Sequence, residues 1–236
     1  MIIKADLHTH TNLSIDGRQT LEQLTKAARA KGLKAVAVTD HGRFTRLPLE
    51  MNGVLLIPGC EFNGSAGHIL GLFLDSPPGI SGGTPQEVVK EIHRCGGIAV
   101  LAHPFQKPGK TEDDYPFPIE GVETANARAT KKNRCANRMA ADFARKYGRM
   151  EFGGSDAHSA AEVGNAYTVI ECKERTLQSI KEGILGDNAH AVLKQRTPYR
   201  MIGLSQLQRR RRLGGLKNRL IGWAYLIKCI ALDIKK

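Results

Sequence analysis

The chain has 236 residues, 41% of them hydrophobic and 25 of them glycine, which suits one globular domain with a sizeable core and excludes a disordered or fibrous protein. Five cysteines (Cys60, Cys95, Cys135, Cys172 and Cys229) form no CxxC pair, and MIIKADLHTH at the start carries no long apolar stretch, so the expectation is a reducing, cytoplasmic setting with no secretory signal. The net charge of +12 is local: from Lys194 onward there are twelve Lys and Arg against one acid, Asp233, while the first 193 residues carry 23 basic and 22 acidic side chains.

The body alternates strand-like and helix-like segments. IIKADLH reads as a strand, and LEQLTKAARAKG as an amphipathic helix stopped by Gly32. KAVAVTDH, GVLLIPGCEF and HILGLFLD follow as apolar, strand-like runs. QEVVKEIHRCGG is a helix leading into the strand IAVLAH. GVETAN, a helix around NRCANRMAADFARKYG, the strands MEFGGSDAH and AYTVIE, the helix LQSIKEGILG and the short strand AVLKQ complete the body. Such alternation predicts a mainly parallel sheet with helices outside it, open or closed into a barrel. Gln106–Pro118 reads as a loop over one end.

Polar residues collect where these strands finish. His8 and His10 end the first strand and, at a side-chain period of two, share one side. Asp40 and His41 end the second strand, Glu61 the third, and His103 the strand IAVLA. Asp156 and His158 follow MEFGGS, and His68 opens a strand expected to run back from the same rim. In parallel α/β folds these strand ends converge on one face. Six imidazoles and several carboxylates there call for a metal: the set suits Zn²⁺, Mn²⁺ or Fe²⁺, whereas Mg²⁺ favours an all-oxygen shell. Without ions such a cluster would be costly to bury. Asp6 should point away from the cluster and support backbone, and His93 and His190 read as structural or surface residues.

DLHTHTNLSIDG, TDHG, GCE, GHILG, AHP and GSDAH, in this order, resemble the PHP (polymerase and histidinol phosphatase) superfamily over residues 2 to 195, closest to its small stand-alone phosphoesterases. The resemblance implies a distorted (β/α)7, TIM-like barrel and a trinuclear centre. His8, His10, Glu61 and Asp156 would hold one ion; Glu61 would bridge to a second, completed by His68 and His103. Asp16, His41 and His158 would hold a third, with Asp16 standing where some members have His. Two or three divalent ions are implied (Mn, Zn or Fe, with Mg admitted). Through a water activated by them, Glu61, Asp156 and His41 would serve phosphoester hydrolysis. Asp40, beside His41, is placed to fix an imidazole tautomer. Arg18, Arg43 and Arg128, near site elements in sequence, are candidate phosphate contacts.

The expected function is therefore metal-dependent hydrolysis of a small phosphomonoester or nucleotide phosphate. The alternatives are an exonuclease or oligonucleotide phosphodiesterase, and a non-catalytic metal-binding regulatory protein. Residues 1–195 would form the phosphoesterase domain and 196–236 a basic, helical extension. The extension contains RRRR and an apolar run from Leu220 to Ile234 that is too short and too interrupted to span a bilayer. Its expected roles are packing on the barrel, self-association, or contact with an anionic surface such as a membrane or a polynucleotide.

Overall fold

The structure, a computed structural model, describes residues 1–115 and 117–234. Pro116 of the expected loop, and Lys235 and Lys236 of the extension, lie outside the described residues. The strands are β1 (Ile2–Thr9), β2 (Ala35–Val38), β3 (Glu50–Met51), β4 (Val54–Gly64), β5 (His68–Leu72), β6 (Gly82–Gly83), β7 (Ile98–Leu101), β8 (Gly121–Asn126), β9 (Met150–Gly154), β10 (Ala166–Glu171) and β11 (Ala189–Leu193). The helices are α1 (Leu21–Ala30), α2 (Pro85–Arg94), α3 (Ala136–Lys146), α4 (Leu177–Leu185), α5 (Tyr199–Leu213) and α6 (Leu216–Ile234).

The strands join in the order β11-β10-β1-β2-β4-β5-β7-β8-β9, with the short β3 and β6 attached to β4. A parallel bridge between Thr9 and Ala157, just beyond β9, brings the far end of the path back to β1. The result is a mixed α/β fold with a nearly closed, barrel-shaped sheet. The expectation of a mainly parallel sheet is corrected. β10 runs antiparallel to both β1 and β11, against that expectation, while β5 runs antiparallel to both β4 and β7, in line with the expectation that the strand opened by His68 runs back from the rim. The cause is local: β4 reverses into β5 through a three-residue turn closed by Gly67 N–H donating to Gly64 O (3.1 Å), which leaves no room for a crossover helix.

Inside the barrel, alternate residues of seven strands pack together: Ile3, Ala5 and Leu7; Ala35 and Ala37; Leu55 and Ile57; Leu70 and Leu72; Ile98 and Val100; Phe152; Ile170. Ile180 and Ile184 of α4 close one end of this cluster. The opposite faces of β2 and β4 carry Val36, Val38, Val54 and Leu56 against Leu24 and Ala28 of α1. A third cluster sets Val88, Val89 and Ile92 of α2 and Phe143 of α3 against Phe62, Ile69 and Leu101. Thr20 and Thr84 start α1 and α2 as capping boxes with Gln23 and Glu87, so both helices begin where their sequence says they should.

The basic segment folds into the hairpin α5–α6. Gly203 and Gly222 let the two helices approach closely: a Cβ on either would lie 2.9 Å from Leu226 or Leu207 respectively. Asp233 receives the N–H groups of Tyr199 (2.8 Å) and Arg200 (2.9 Å), so the end of α6 caps the start of α5. The hairpin rests on the barrel. Thr197 N–H donates to Ala127 O (2.9 Å), Arg128 reaches Ser205, and the Arg212 guanidinium donates to the carbonyls of Asn12 and Ser14. No described helix is long and apolar enough to cross a membrane.

Candidate metal centre

The stripe that fills the barrel with aliphatic side chains continues, one layer higher, as polar ones. Leu55 and Ile57 lead by twos to Glu61; Ala35 and Ala37 lead to His41; Phe152 leads to Asp156. His68 begins β5, whose reversed direction puts its first residue at the same rim. In β1 the inward parity changes from Leu7 to His8, and a register shift between Asp6 and Thr9 accompanies the change. Gly154 permits β9 to lie against His8, since a Cβ there would sit 2.4 Å from His8 Cβ.

Glu61 is the hub. Its Oε2 lies 3.4 Å from His8 Nε2, 3.3 Å from His10 Nε2 and 2.8 Å from His41 Nδ1; its Oε1 lies 2.6 Å from His68 Nδ1 and 3.3 Å from His103 Nε2. Asp156 Oδ1 approaches His8 Nε2 (3.7 Å), His10 Nε2 (3.4 Å) and His158 Nδ1 (3.5 Å). Asp16 Oδ1 lies 3.6 Å from His41 Nε2 and 3.4 Å from His158 Nε2. The structure thus brings together all nine ligand-type residues singled out in the sequence.

Three imidazoles have one nitrogen committed outward. His8 Nδ1 lies 3.0 Å from Glu123 Oε1, an acceptor, so Nδ1 carries the proton. His158 Nδ1 lies 2.8 Å from the Asp156 carbonyl and carries the proton for the same reason. His10 Nδ1 faces Ser14 Oγ at 3.1 Å, and that hydroxyl spends its proton on Asp40 Oδ1 (2.7 Å), which leaves His10 Nδ1 to donate. With the ring singly protonated, as in a metal ligand, each Nε2 aims a lone pair into the site; without an ion, burial lowers the His8 pKa but Glu123, Asp156 and Glu61 outweigh it and hold it well above its usual range. Among the described residues His8 Nε2, His10 Nε2, Asp16 Oδ1 and Glu61 Oε2 are buried without a hydrogen-bond partner. Unpaired groups at that depth are costly, and a divalent cation among nitrogen and oxygen donors of this kind satisfies them together. The residues fit divalent metal.

Asp40 touches no imidazole itself. It also accepts from Thr11 N (2.7 Å) and Thr11 Oγ1 (2.6 Å), and Ser14 Oγ accepts from His41 N–H (3.0 Å), so Asp40 and Ser14 position two candidate ligands at once. Ser14→Ala should reduce metal affinity about 10–100-fold with an unchanged circular dichroism spectrum, measured by competition with a chromogenic chelator.

Electrostatics tie the cluster together. Burial opposes ionisation of Glu61, but His41, His68 and His8 outweigh it and hold the carboxyl well below its usual range. Asp156 is held down likewise by His8, His10 and His158. Burial depresses His41, yet Glu61 and Asp16 prevail and raise it to about 11. His10, buried beside His158 and His41, is pushed down to about 3 and is a neutral imidazole. Two candidate ligands, His103 (φ 31°) and Asp156 (φ 53°), hold left-handed backbone that non-glycine residues adopt at a cost, a form of strain that gathers at functional sites.

Glu123 escapes a reading of strand ends, although an acid inside the apolar run GVETAN is the signal that finds it. It fixes His8, accepts the His103 N–H (2.9 Å) and receives Asn126 Nδ2 (2.9 Å). Asp6 faces away from the ligands, accepting from Ser155 N (2.9 Å), Ser155 Oγ (2.6 Å) and Gly164 N (2.8 Å), and so pins the segment that carries Asp156 and His158.

Above the cluster opens a cavity of about 560 Å³, floored by Asp16, His41, Glu61, His68, His103, Asp156 and His158 and walled by the hairpin through Ile202, Gln206, Arg209, Arg210, Ile221 and Tyr225. Arg18 and Arg43 are exposed and do not line it. Arg128 does, but its guanidinium is engaged: Nε donates to Glu162 Oε2 (2.8 Å) and Nη1 to Ser205 Oγ (3.2 Å). Among the described residues the free cations on the wall are Lys132 and Arg209, while Lys131 reaches the Tyr225 hydroxyl and Arg210 donates to Asn218.

Residues 134–187 match a family model described as PHP-associated. A protein of Methanocaldococcus jannaschii is 35% identical over 144 residues, covering 53% of this chain and 82% of that one. The chain belongs to the PHP superfamily. A probable phosphatase of Enterobacter sp. strain 638 is 29% identical to this PHP chain over 212 residues, 72% of this chain and 83% of the relative. In structure, the PHP barrel here is similar to a two-domain Bacteroides vulgatus protein described as containing a predicted PHP-like metal-dependent phosphoesterase (TM-score 0.60, 19% identity, 87% of this chain and 69% of the other).

Proposed function

We propose that this PHP enzyme hydrolyses a small phosphomonoester or nucleotide phosphate. His8, His10, Glu61 and Asp156 would hold one divalent ion, Glu61 would be shared with a second completed by His68 and His103, and Asp16, His41 and His158 would hold a third. The observation that carries this assignment is the convergence of nine nitrogen and oxygen donors in which three imidazoles have Nε2 fixed inward by Glu123, Ser14 and the Asp156 carbonyl. When bound, such ions neutralise phosphate oxygens and lower the pKa of an attacking water. The chain's own residues orient the ligands, keep His10 neutral and line a cavity the size of a nucleotide with both cations and apolar side chains.

The test is a chelator-stripped sample assayed on a panel of phosphomonoesters, nucleotide phosphates and short oligonucleotides. Hydrolysis returns on adding Mn²⁺, Zn²⁺ or Fe²⁺, and is absent from His8→Ala. Metal-loaded protein that binds its ions and leaves the whole panel intact would identify a non-catalytic metal-binding protein; oligonucleotides cleaved in preference to monoesters would identify a phosphodiesterase.

Lys131 sets a pH dependence. Burial, together with the neighbouring cations Lys132, Arg128 and Lys228, lowers its pKa to about 8. Below that pH Lys131 is charged and attracts phosphate; above it the charge is lost while the phosphate stays ionised. KM for a nucleotide monophosphate therefore changes little between pH about 7, where the phosphate is already a dianion, and pH about 8, and rises above that; Lys131→Met gives a higher KM without that rise.

A further inference from the structure

Helix α6 has two apolar faces. Gly222, Leu226 and Cys229 are buried against α5. On the other side Leu216, Leu220, Trp223, Ile227, Ile230 and Ile234 recur at alternating spacings of four and three residues, between 42% and 79% exposed. At 1.5 Å per residue the stripe is about 27 Å long, more contiguous apolar surface than a scattering of single exposed side chains.

We propose that this stripe seats α6 lengthwise on the surface of an anionic lipid bilayer. The charges beside it choose that occupant. Lys217, Arg219 and Lys228 flank the stripe and Arg211 lies beside Trp223, while Arg209 and Arg210 line the cavity and Arg212 is held by the Asn12 and Ser14 carbonyls. The one acid of the hairpin, Asp233, is engaged with the N–H groups of Tyr199 and Arg200. A second copy of α6 would set Lys217 and Arg219 against a surface equally cationic, with no disengaged carboxylate in the hairpin to answer them. A polynucleotide would answer the cations and leave the stripe in water. An anionic bilayer answers both, taking the apolar residues among its acyl chains and the cations among its headgroups. Trp223 lies mid-stripe with the Arg211 guanidinium 5.4 Å from its ring centre, a pairing of aromatic and cation suited to the headgroup boundary. Because α6 is not long and apolar enough to cross, it lies in the interface.

Trp223 is the only tryptophan of the chain, so its emission reports on the stripe alone. The full-length protein is mixed with vesicles of phosphatidylcholine, or of phosphatidylcholine with phosphatidylglycerol, and followed by co-sedimentation and fluorescence. It should pellet with the anionic vesicles, with a blue-shifted emission, and release as salt rises. The exposed positions Leu220 and Ile227 tolerate charge in the fold, and L220E/I227E should weaken partitioning about a hundredfold while hydrolysis of a soluble phosphoester is unchanged. Three results overturn the proposal: no binding to anionic vesicles at low salt, equal binding by the double variant, or a concentration-dependent dimer that L220E/I227E dissolves. None of them bears on the phosphoesterase assignment, which the chelation experiment tests by itself.

Discussion

Glu61→Gln lowers kcat by about a thousandfold or more, the several kcal/mol that metal stabilisation of a phosphoryl transition state supplies. No other side chain of the site faces as many partners: five imidazole nitrogens lie between 2.6 and 3.4 Å from its two oxygens. Glutamine keeps the shape and removes the charge. It also turns one carboxylate oxygen into an NH2 group, which has no lone pair to offer a cation. The substitution therefore reduces both the affinity for ions and the rate with ions added in excess. Metal content by mass spectrometry, measured beside kcat at saturating Mn²⁺, separates the two. Full metal content with wild-type kcat would show that Glu61 bridges nothing that matters to the reaction.

Much of this site is legible from residue order alone, because a strand's side-chain period and the convergence of strand ends are one-dimensional rules. His41, Glu61 and Asp156 simply extend inward positions already marked by Ala37, Ile57 and Phe152. What stays hidden is whatever depends on a partner distant in sequence. Ser14 matters because it sits between His10 and Asp40, and neither contact has a local pattern. Glu123 is 115 residues from His8. The reversal of β10 is hidden for a different reason: its hydrophobic run looks the same whichever way it pairs, whereas His68 at the start of β5 already marks that strand as running back from the rim. Arg128 shows another such partner: it lines the cavity as its place after a strand end suggests, and in space its guanidinium is also held by Glu162 from the loop before β10 and by Ser205 from α5.

That buried pair should carry the largest stability effect outside the metal cluster. Arg128 is 6% exposed and Glu162 1%, and Arg128 Nη2 lies 2.6 Å from the carboxylate. Burial disfavours a charged guanidinium, and the Coulomb attraction of Glu162 and of Asp156 outweighs it, so Arg128 stays charged in the fold. Glu162→Leu leaves this cation without its nearest counter-charge, which costs about 3–5 kcal/mol and lowers the melting temperature by about 10 °C in a chain of this size. Removing both charges is a milder change than removing one, because no ion is then left desolvated. Arg128→Met/Glu162→Leu should accordingly recover most of the loss, with the residual deficit reporting the Ser205 hydrogen bond that helps seat α5 on the barrel. Urea denaturation of the two single variants and the double variant closes the cycle. A double variant as unstable as the sum of the singles would mean that the two side chains act independently. The same variants settle the guanidinium's second suspected duty: if Arg128 serves the hairpin and not the substrate, the double variant keeps the wild-type KM, whereas a phosphate contact would raise KM in every variant that lacks Arg128.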